Sequence, residues 1–145
     1  MKKLVYLISP NKIYDNFYDD LKKVLKIKNV KFFQLRIKKT KKIKLIKIAK
    51  EIRKITKKYK VELIINDNPN IAKSANADGC HLGQNDGSII EAKKYLKKKI
   101  VGVTCHNSKS LALYAVQDKA DYLAFGSFNK SKLKPHAKKA KLNIL

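Results

Sequence analysis

With 145 residues, 44% of them apolar, the chain is long enough to bury a core and too apolar for a disordered polar segment. Its apolar runs fall far short of the ~20 residues of a membrane span, and the first run, before Pro10, is too short for a signal peptide, so we expect a cytoplasmic protein with no membrane partner. The net charge of +24 would suit nucleic acid, but only Arg36 and Arg53 of the 35 basic residues are arginines, so we expect a solvated lysine surface instead.

Short β-branched or aromatic runs alternate with longer amphipathic segments along the chain. The predicted strands are Leu4–Ser9, Phe32–Arg36, Glu62–Asn66, Gly79–Leu82, Ile100–Val103 and Tyr122–Phe125. The predicted helices lie between them, near Tyr14–Leu25, Ile43–Tyr59, Asn70–Ala75, Ser88–Leu96 and Lys109–Gln117. This alternation predicts βαβ units and therefore a parallel sheet covered by helices, in a single domain that spans residues 1–145.

A doubly wound sheet and a (β/α)₈ barrel both satisfy this order of elements. A dinucleotide-binding sheet should have a glycine-rich loop after its first strand, and the segment Ser9-Pro10-Asn11 has no glycine. In a barrel, the functional groups instead follow the carboxyl ends of several strands. Because polar residues follow several of the predicted strands, we favour a TIM-barrel type of α/β fold with about six βα units.

The second predicted strand ends in alternating polar residues. Gln34, Arg36 and Lys38 are separated by single apolar residues, so in an extended strand they would point to one side. Two cations and an amide on one face suit a di- or triphosphate, although a lysine-rich exposed strand would give a similar pattern. A diphosphate is therefore one of two interpretations at this strand.

Two aspartates follow the third and fourth predicted strands in a chain that has only 11 acidic residues. Asp67 comes directly after Asn66, and Asp86 follows the fourth strand, whose end contains His81 and is followed by Gly83. Carboxylate oxygens of this kind suit Mg²⁺, which takes one or two carboxylates together with water and substrate phosphate. The alternatives are an Asx turn or helix cap before Pro69 for Asp67 and a structural role for His81.

Further polar groups follow the fifth and sixth predicted strands. Thr104 lies at the end of the fifth, and Lys134 lies in a lysine-rich loop after the sixth, where it could neutralise phosphate together with Arg36 and Lys38. The two cysteines, Cys80 and Cys105, form no CxxC pattern, so we interpret them as small buried thiols rather than zinc ligands or disulfide partners. The two aspartates and the cations together indicate a reaction in which diphosphate is the leaving group.

Five segments resemble the thiamine phosphate synthase family, in the order and spacing of that family. They are Gln34-Leu35-Arg36-x-Lys38, Ile65-Asn66-Asp67, His81-Leu82-Gly83-Gln84-x-Asp86, Gly102-Val103-Thr104-x-His106 and Ala120-Asp121-Tyr122 with the following Phe125-Gly126. The resemblance covers essentially the whole chain. It implies a Mg²⁺-dependent transferase of the barrel type that joins hydroxymethylpyrimidine diphosphate to a thiazole phosphate and releases pyrophosphate.

The resemblance also implies a role for each site residue. Mg²⁺ would be held by Asp67 and Asp86, and the diphosphate oxygens would be bound by Arg36, Lys38, Asn66 and Thr104. Lys134 would help the leaving group, as the catalytic lysine beside Arg36 and Lys38. The pyrimidine pocket would be lined by Gln34, His81 and Gly83.

The chain departs from the family in two respects. The loop after the sixth strand normally carries threonines with its lysine. Here those places hold Ser131, which keeps a hydroxyl and stays a predicted substrate-binding residue, and Leu133, which cannot donate to a phosphate. The family also continues beyond the position of Leu145, so we expect a barrel that is incomplete at its C-terminus and weak in thiazole-phosphate binding. Open sheet edges would favour a homo-oligomer.

Three alternative functions stay open at this point. The related thiazole tautomerases share the fold but do not need the paired aspartates, so Asp67 and Asp86 favour the synthase. An inactive remnant of the synthase is the second alternative. The third is a basic nucleic-acid-binding module, which would retain RNA in a salt-sensitive manner.

Overall fold

The computed structural model describes residues 3–129 and 139–145, in which strands and helices alternate. The strands are β1 (Val5–Ile8), β2 (Val30–Leu35), β3 (Glu62–Asn66), β4 (Gly79–Leu82), β5 (Ile100–His106) and β6 (Tyr122–Phe125). The helices are α1 (Phe17–Leu25), α2 (Lys42–Lys58), α3 (Pro69–Ser74), α4 (Ile89–Leu96) and α5 (Lys109–Gln117), followed by a 3₁₀ turn at Leu142–Ile144. The sheet order is β1-β2-β3-β4-β5-β6, and the pairs β1–β2, β2–β3 and β5–β6 are parallel. The predicted α/β class is confirmed.

The chain forms two compact units, residues 1–80 and 81–145. In the first unit, β3 is apolar on both of its faces: Leu63, Ile64 and Ile65 are all buried. Continuous apolar strands of this kind are typical of parallel sheets that are covered on both sides. Helix α2 buries Ala49 and Ile52 on one stripe, and its lysines remain exposed.

In the second unit, β5 supplies the buried residues Val101, Val103 and Cys105. Helices α4 and α5 begin at serine caps, because the Ser88 hydroxyl accepts from the Glu91 N–H and the Ser108 hydroxyl accepts from the Leu111 N–H.

The described part of the chain contains no helix that is long and apolar enough to cross a membrane. The prediction of one domain over residues 1–145 stays a prediction.

Both cysteines are free and buried, as interpreted from the sequence. Burial raises the pKa of the Cys80 thiol to about 12 and also raises the pKa of the Cys105 thiol. Because the thiolate is the reactive form, both side chains are inert small apolar groups at neutral pH.

The ends of three strands differ from the prediction, since β1 is one residue shorter at each end and β2 begins two residues earlier, in addition to the differences that follow. Strand β2 ends at Leu35, one residue earlier than predicted, and the following N–H groups bind side chains of the loop after β1. Strand β5 continues to His106, three residues beyond the predicted end, because His106 still pairs with Phe125 of β6. Thr104 therefore lies within a strand rather than after one.

Candidate functional site

The carboxyl end of β2 is held by the first strand and the loop that follows it. The buried Gln34 amide donates to the Tyr6 hydroxyl at 3.1 Å, and Tyr6 stacks on Phe32. The backbone N–H of Arg36 donates to the Ser9 hydroxyl at 2.9 Å, and that of Lys38 donates to the Asn11 side chain at 2.8 Å. The segment after β2 is thereby fixed, although it has left the sheet.

The fixed segment presents two cations. The Arg36 side chain is half-buried and Lys38 is exposed. Within the part of the chain that the structure describes, no group accepts a hydrogen bond from the Arg36 guanidinium. Arg53, the other arginine, donates from Nη2 to Asp78 at 2.6 Å and from Nε to the Asn76 carbonyl at 3.1 Å. Arg53 therefore uses its donors in contacts within the fold. The Arg36 guanidinium can instead donate to a bound anion.

Asn66 is the last residue of β3, and Asp67 follows it with a positive φ of 63°. Aspartate and asparagine tolerate this left-handed conformation better than other residues that carry a Cβ. The helix cap before Pro69 is Asn68, whose side chain accepts from the Ile71 N–H at 3.0 Å. The alternative interpretation of Asp67 as the cap of α3 is therefore wrong, because Asn68 caps this helix.

In the second unit, His81 lies between two hydroxyl groups. Its Nδ1 is 2.9 Å from the Tyr122 Oη, and its Nε2 is 2.8 Å from the Thr104 Oγ1. The imidazole also stacks on the Tyr122 ring, with centroids 5.5 Å apart, and only 8% of the residue is exposed. The structure thus brings together His81 and Thr104, which were predicted separately as site residues, and adds Tyr122, for which no role was predicted.

The loop after β4 is closed by its own aspartate. The Asp86 carboxylate accepts from the Gly83 N–H through Oδ2 at 2.8 Å, and a Cβ on Gly83 would lie 2.6 Å from that oxygen. The Gln84 amide donates to the Thr104 carbonyl. Gly83 therefore permits a close approach that fixes Asp86, while the second carboxylate oxygen, Oδ1, takes no part in this turn.

Tyr122 is the site residue that sequence reasoning missed. It pairs with Gly102 across β5 and β6, and a Cβ on Gly102 would lie 1.9 Å from the Tyr122 ring. Only glycine leaves room for the ring, whose hydroxyl then reaches His81. The glycine inside β5 was a usable signal, since such a glycine often marks the close approach of another group. Tyr6, which binds Gln34, was missed in the same way.

The roles of the predicted site residues and the metal site stay predictions, and two of those residues cannot be placed. Ser131 and Lys134 lie outside the described residues. Over residues 3–129 and 139–145, no three or more His, Cys, Asp or Glu side chains are grouped as they would be in a metal site made by protein alone. Asp67 and Asp86 are each half-buried and follow the end of a strand. Such carboxylates fit Mg²⁺, which completes its shell with water and phosphate.

A concave surface of about 610 Å³ lies elsewhere in the first unit. It is formed where α1 and α2 end and β2 begins, and five of its lining residues are Lys26, Lys28, Lys31, Lys58 and Lys60. Helix C-termini carry partial negative charge, which lysines neutralise. Its lysines are thus explained by the two helix ends.

Several known proteins that are similar to this chain are thiamine-phosphate synthases. The family model for thiamine monophosphate synthase matches residues 5–145. The thiamine-phosphate synthase of Pelagibacter ubique is 57% identical over 145 residues, which cover 99% of this chain and 70% of that protein. Those of Marinobacter nauticus and Erythrobacter litoralis are 47% and 37% identical, over 60% and 86% of this chain.

A solved thiamine phosphate pyrophosphorylase from Pyrococcus furiosus superposes with a TM-score of 0.78 at 29% identity, over 88% of this chain. This likeness confirms the predicted TIM-barrel type of fold. The chain spans 61% of the length of that structure, and 40% and 60% of the lengths of the Marinobacter and Erythrobacter proteins.

Proposed function

Because the chain belongs to the thiamine monophosphate synthase family, we propose that it couples hydroxymethylpyrimidine diphosphate with a thiazole phosphate. The C–O bond between the pyrimidine methylene carbon and the diphosphate breaks, and pyrophosphate leaves with the electron pair. The thiazole nitrogen then donates its lone pair to the pyrimidine cation and forms the C–N bond of thiamine phosphate. The protein must stabilise negative charge on the leaving oxygen as it develops.

One observation carries this proposal: the half-buried Arg36 guanidinium follows β2 on a backbone that Ser9 fixes, and no described group accepts from it. A planar guanidinium can bind two oxygens of a diphosphate at once, which a lysine cannot. Lys38, in the segment after β2, and Asn66, the last residue of the paired strand β3, add a second cation and an amide. This end of the first unit supplies the charge that a diphosphate requires.

Each remaining substrate contact is assigned from the position of its residue. The buried Gln34 amide, which Tyr6 orients, and the His81 ring with Gly83 would contact the pyrimidine. The Thr104 hydroxyl would bind a diphosphate oxygen. Ser131 and Lys134, which lie outside the described residues, stay sequence predictions for phosphate binding and for assistance to the leaving group.

We assign Mg²⁺ to Asp67 and Asp86. When bound, the ion would neutralise charge on the diphosphate oxygens and so lower the barrier to departure of pyrophosphate. Asp86 is already oriented by the Gly83 N–H, and Asp67 is set by its left-handed backbone conformation.

The first test exchanges the two arginines separately for lysine. Thiamine phosphate formation is measured with both substrates and Mg²⁺, at a temperature where all variants are folded. Arg36→Lys should lower kcat/KM at least about tenfold, the effect of ~1.4 kcal/mol of lost transition-state binding, because the bidentate contact is removed. Arg53→Lys, an identical exchange at the structural arginine, should keep the activity of the parent chain. Equal activities of the two variants would contradict the assignment of Arg36.

The second test concerns the metal. Asp67→Asn keeps a side chain that tolerates the left-handed backbone, and Asp86→Asn keeps an oxygen for the Gly83 N–H, so both remove charge alone. Each should weaken Mg²⁺-dependent binding of the pyrimidine diphosphate about tenfold or more, measured calorimetrically. Asp15→Asn, at an exposed position, is the control. Equal affinity with Mg²⁺ and with chelator would remove the metal from the proposal.

A further inference from the structure

The second unit contains a chain of three polar groups that joins two strands to β4. Tyr122 Oη lies 2.9 Å from His81 Nδ1, and His81 Nε2 lies 2.8 Å from Thr104 Oγ1. A neutral imidazole has one N–H donor and one bare nitrogen acceptor, so the two hydrogen bonds cannot be assigned independently. The proton on one ring nitrogen decides the direction of both.

Two arrangements satisfy these distances. In the first, His81 donates from Nδ1 to the Tyr122 hydroxyl, and the Thr104 hydroxyl donates its hydrogen to the bare Nε2. In the second, the Tyr122 hydroxyl donates to the bare Nδ1, and His81 donates from Nε2 to Thr104. Only the second arrangement leaves the hydrogen of the Thr104 hydroxyl available for another partner.

An ionised diphosphate selects between the two, because its oxygens accept hydrogen bonds and donate none. If Thr104 binds the diphosphate, as in the function proposed above on which this step rests, its hydroxyl must donate. We infer that Tyr122 is a positioning residue: its hydroxyl donates to His81 Nδ1, holds the ring in the Nε2–H tautomer and so directs the Thr104 hydrogen to the diphosphate.

The surrounding structure holds Tyr122 in the position that this role requires. Gly102 and Thr104 are two residues apart on β5 and therefore share one face, and the Tyr122 ring covers the space where a Gly102 side chain would be. The Thr104 carbonyl is bound by the Gln84 amide, which fixes the backbone beneath the hydroxyl. The ring and the threonine are thus aligned by glycine packing and by the loop after β4.

The tautomer is measured directly by ¹⁵N NMR of the imidazole. The chain has three histidines, so the signals of His81 are assigned by comparison with variants in which one histidine at a time is replaced, such as His106→Gln. In the free parent chain we expect Nε2 to be the protonated nitrogen and Nδ1 to be bare. Tyr122→Phe, which keeps the ring over Gly102, should populate the Nδ1–H form. A parent chain with Nδ1–H, or with both nitrogens protonated, would overturn the inference, as would an unchanged tautomer in Tyr122→Phe.

The consequence for the ligand is tested with inorganic pyrophosphate and Mg²⁺ in calorimetric titrations. Tyr122→Phe should weaken binding about three- to tenfold, the usual effect of one hydrogen bond. Tyr114→Phe, at an exposed tyrosine of α5, is the matched control and should bind like the parent chain. In a Thr104→Val background, Tyr122→Phe should have no further effect, because Tyr122 acts through the hydroxyl that Val lacks.

These experiments separate the two proposals. A parent chain that fails to bind pyrophosphate contradicts the proposed function, while the tautomer of His81 is still decided by NMR. A parent chain that binds pyrophosphate, with equal affinity in Tyr122→Phe or with additive losses in the Thr104→Val background, contradicts the role of Tyr122 alone.

Discussion

Asp78 in the first unit and Asp121 in the second each precede a strand by one residue and bind the neighbouring segment in the same way. The Asp78 N–H donates to the Leu63 carbonyl at 2.9 Å, and its carboxylate accepts from the Leu63 N–H at 2.7 Å. Asp121 repeats both bonds with Val101, at 2.8 and 2.7 Å. In each unit the aspartate thus pairs with both backbone groups of one strand residue.

The two aspartates differ in the cation that neutralises them and in their burial. Asp78 binds Arg53 of α2 at 2.6 Å, and its side chain is 17% exposed. Asp121 binds Lys93 of α4 at 2.7 Å, and its side chain is 40% exposed. Both aspartates therefore make the same backbone contacts. The cation that neutralises the carboxylate is an arginine where the carboxylate is more buried and a lysine where it is more exposed. Burial, rather than the hydrogen-bond pattern, should decide how much each aspartate stabilises its unit.

The largest expected effect is that of Asp78→Ala. The change leaves the Leu63 N–H without its carboxylate acceptor and the half-buried Arg53 without its counter-charge. We expect a loss of about 2–4 kcal/mol in the free energy of unfolding, measured by urea denaturation with circular dichroism. Asp15→Ala, at an exposed aspartate, should change it by less than about 0.5 kcal/mol. A loss from Asp78→Ala as small as that of this control would show that the carboxylate does not stabilise the unit.

Asp121→Ala should have a smaller effect of the same kind. The Val101 N–H again loses its acceptor, but the Asp121 side chain is 40% exposed, so water can reach the position that the carboxylate leaves. We expect a loss of about 1–2 kcal/mol in the same denaturation experiment. If Asp121→Ala costs as much as Asp78→Ala, burial is not what distinguishes the two aspartates.

Exchanging the cations gives a sharper comparison. Arg53→Lys loses the second bond, from Nε to the Asn76 carbonyl, and should cost about 1 kcal/mol. Lys93→Arg keeps a donor beside Asp121, where Lys93 already reaches both carboxylate oxygens, and should stay within about 0.5 kcal/mol of the parent chain. Equal losses in both variants would mean that the guanidinium fork has no special value at Asp78.

The strands and helices could be predicted from the sequence because their apolar periodicity is local. All six strands and all five helices lie where the pattern indicated, apart from shifts of a few residues at their ends. The partners of Asp78 and Tyr122 could not be predicted. They depend on which residue of a neighbouring strand lies opposite, and this register between parallel strands is not encoded in either segment alone.

The candidate site shows the same limit at the scale of single residues. Asn68 and Asp67 are adjacent and both can cap a helix, so only the backbone geometry assigns the cap to Asn68. His81 and Thr104 were predicted separately, each from a strand end, and their direct contact follows from the fold. Residue types therefore indicated the chemistry, while the hydrogen-bond partners that orient those residues required the structure.

The smallest expected effect comes from Glu62, which lies beside Asp78. Partial burial, repulsion by Asp78 and a hydrogen bond with Asp78 raise the pKa of the Glu62 carboxyl, in that order, and Arg53 opposes them. A raised pKa means that folding favours the protonated acid. The stabilisation is complete below the ordinary glutamate pKa of about 4.3 and is lost as the pH rises through the raised value.

Glu62→Gln should therefore stabilise the chain at pH 7, where the parent carboxylate is ionised beside Asp78. Because Glu62 is largely exposed and solvent screens the repulsion, we expect only about 0.5 kcal/mol, and the gain should vanish below about pH 4. Glu51→Gln is the control and should change the stability in the opposite direction. Glu51 forms an ion pair with Lys54 at 2.8 Å, and the substitution removes it. Urea denaturation of both variants at pH 4 and pH 7 measures the difference. A stabilisation of Glu62→Gln that persists unchanged at pH 4 would show that repulsion by Asp78 is not its cause.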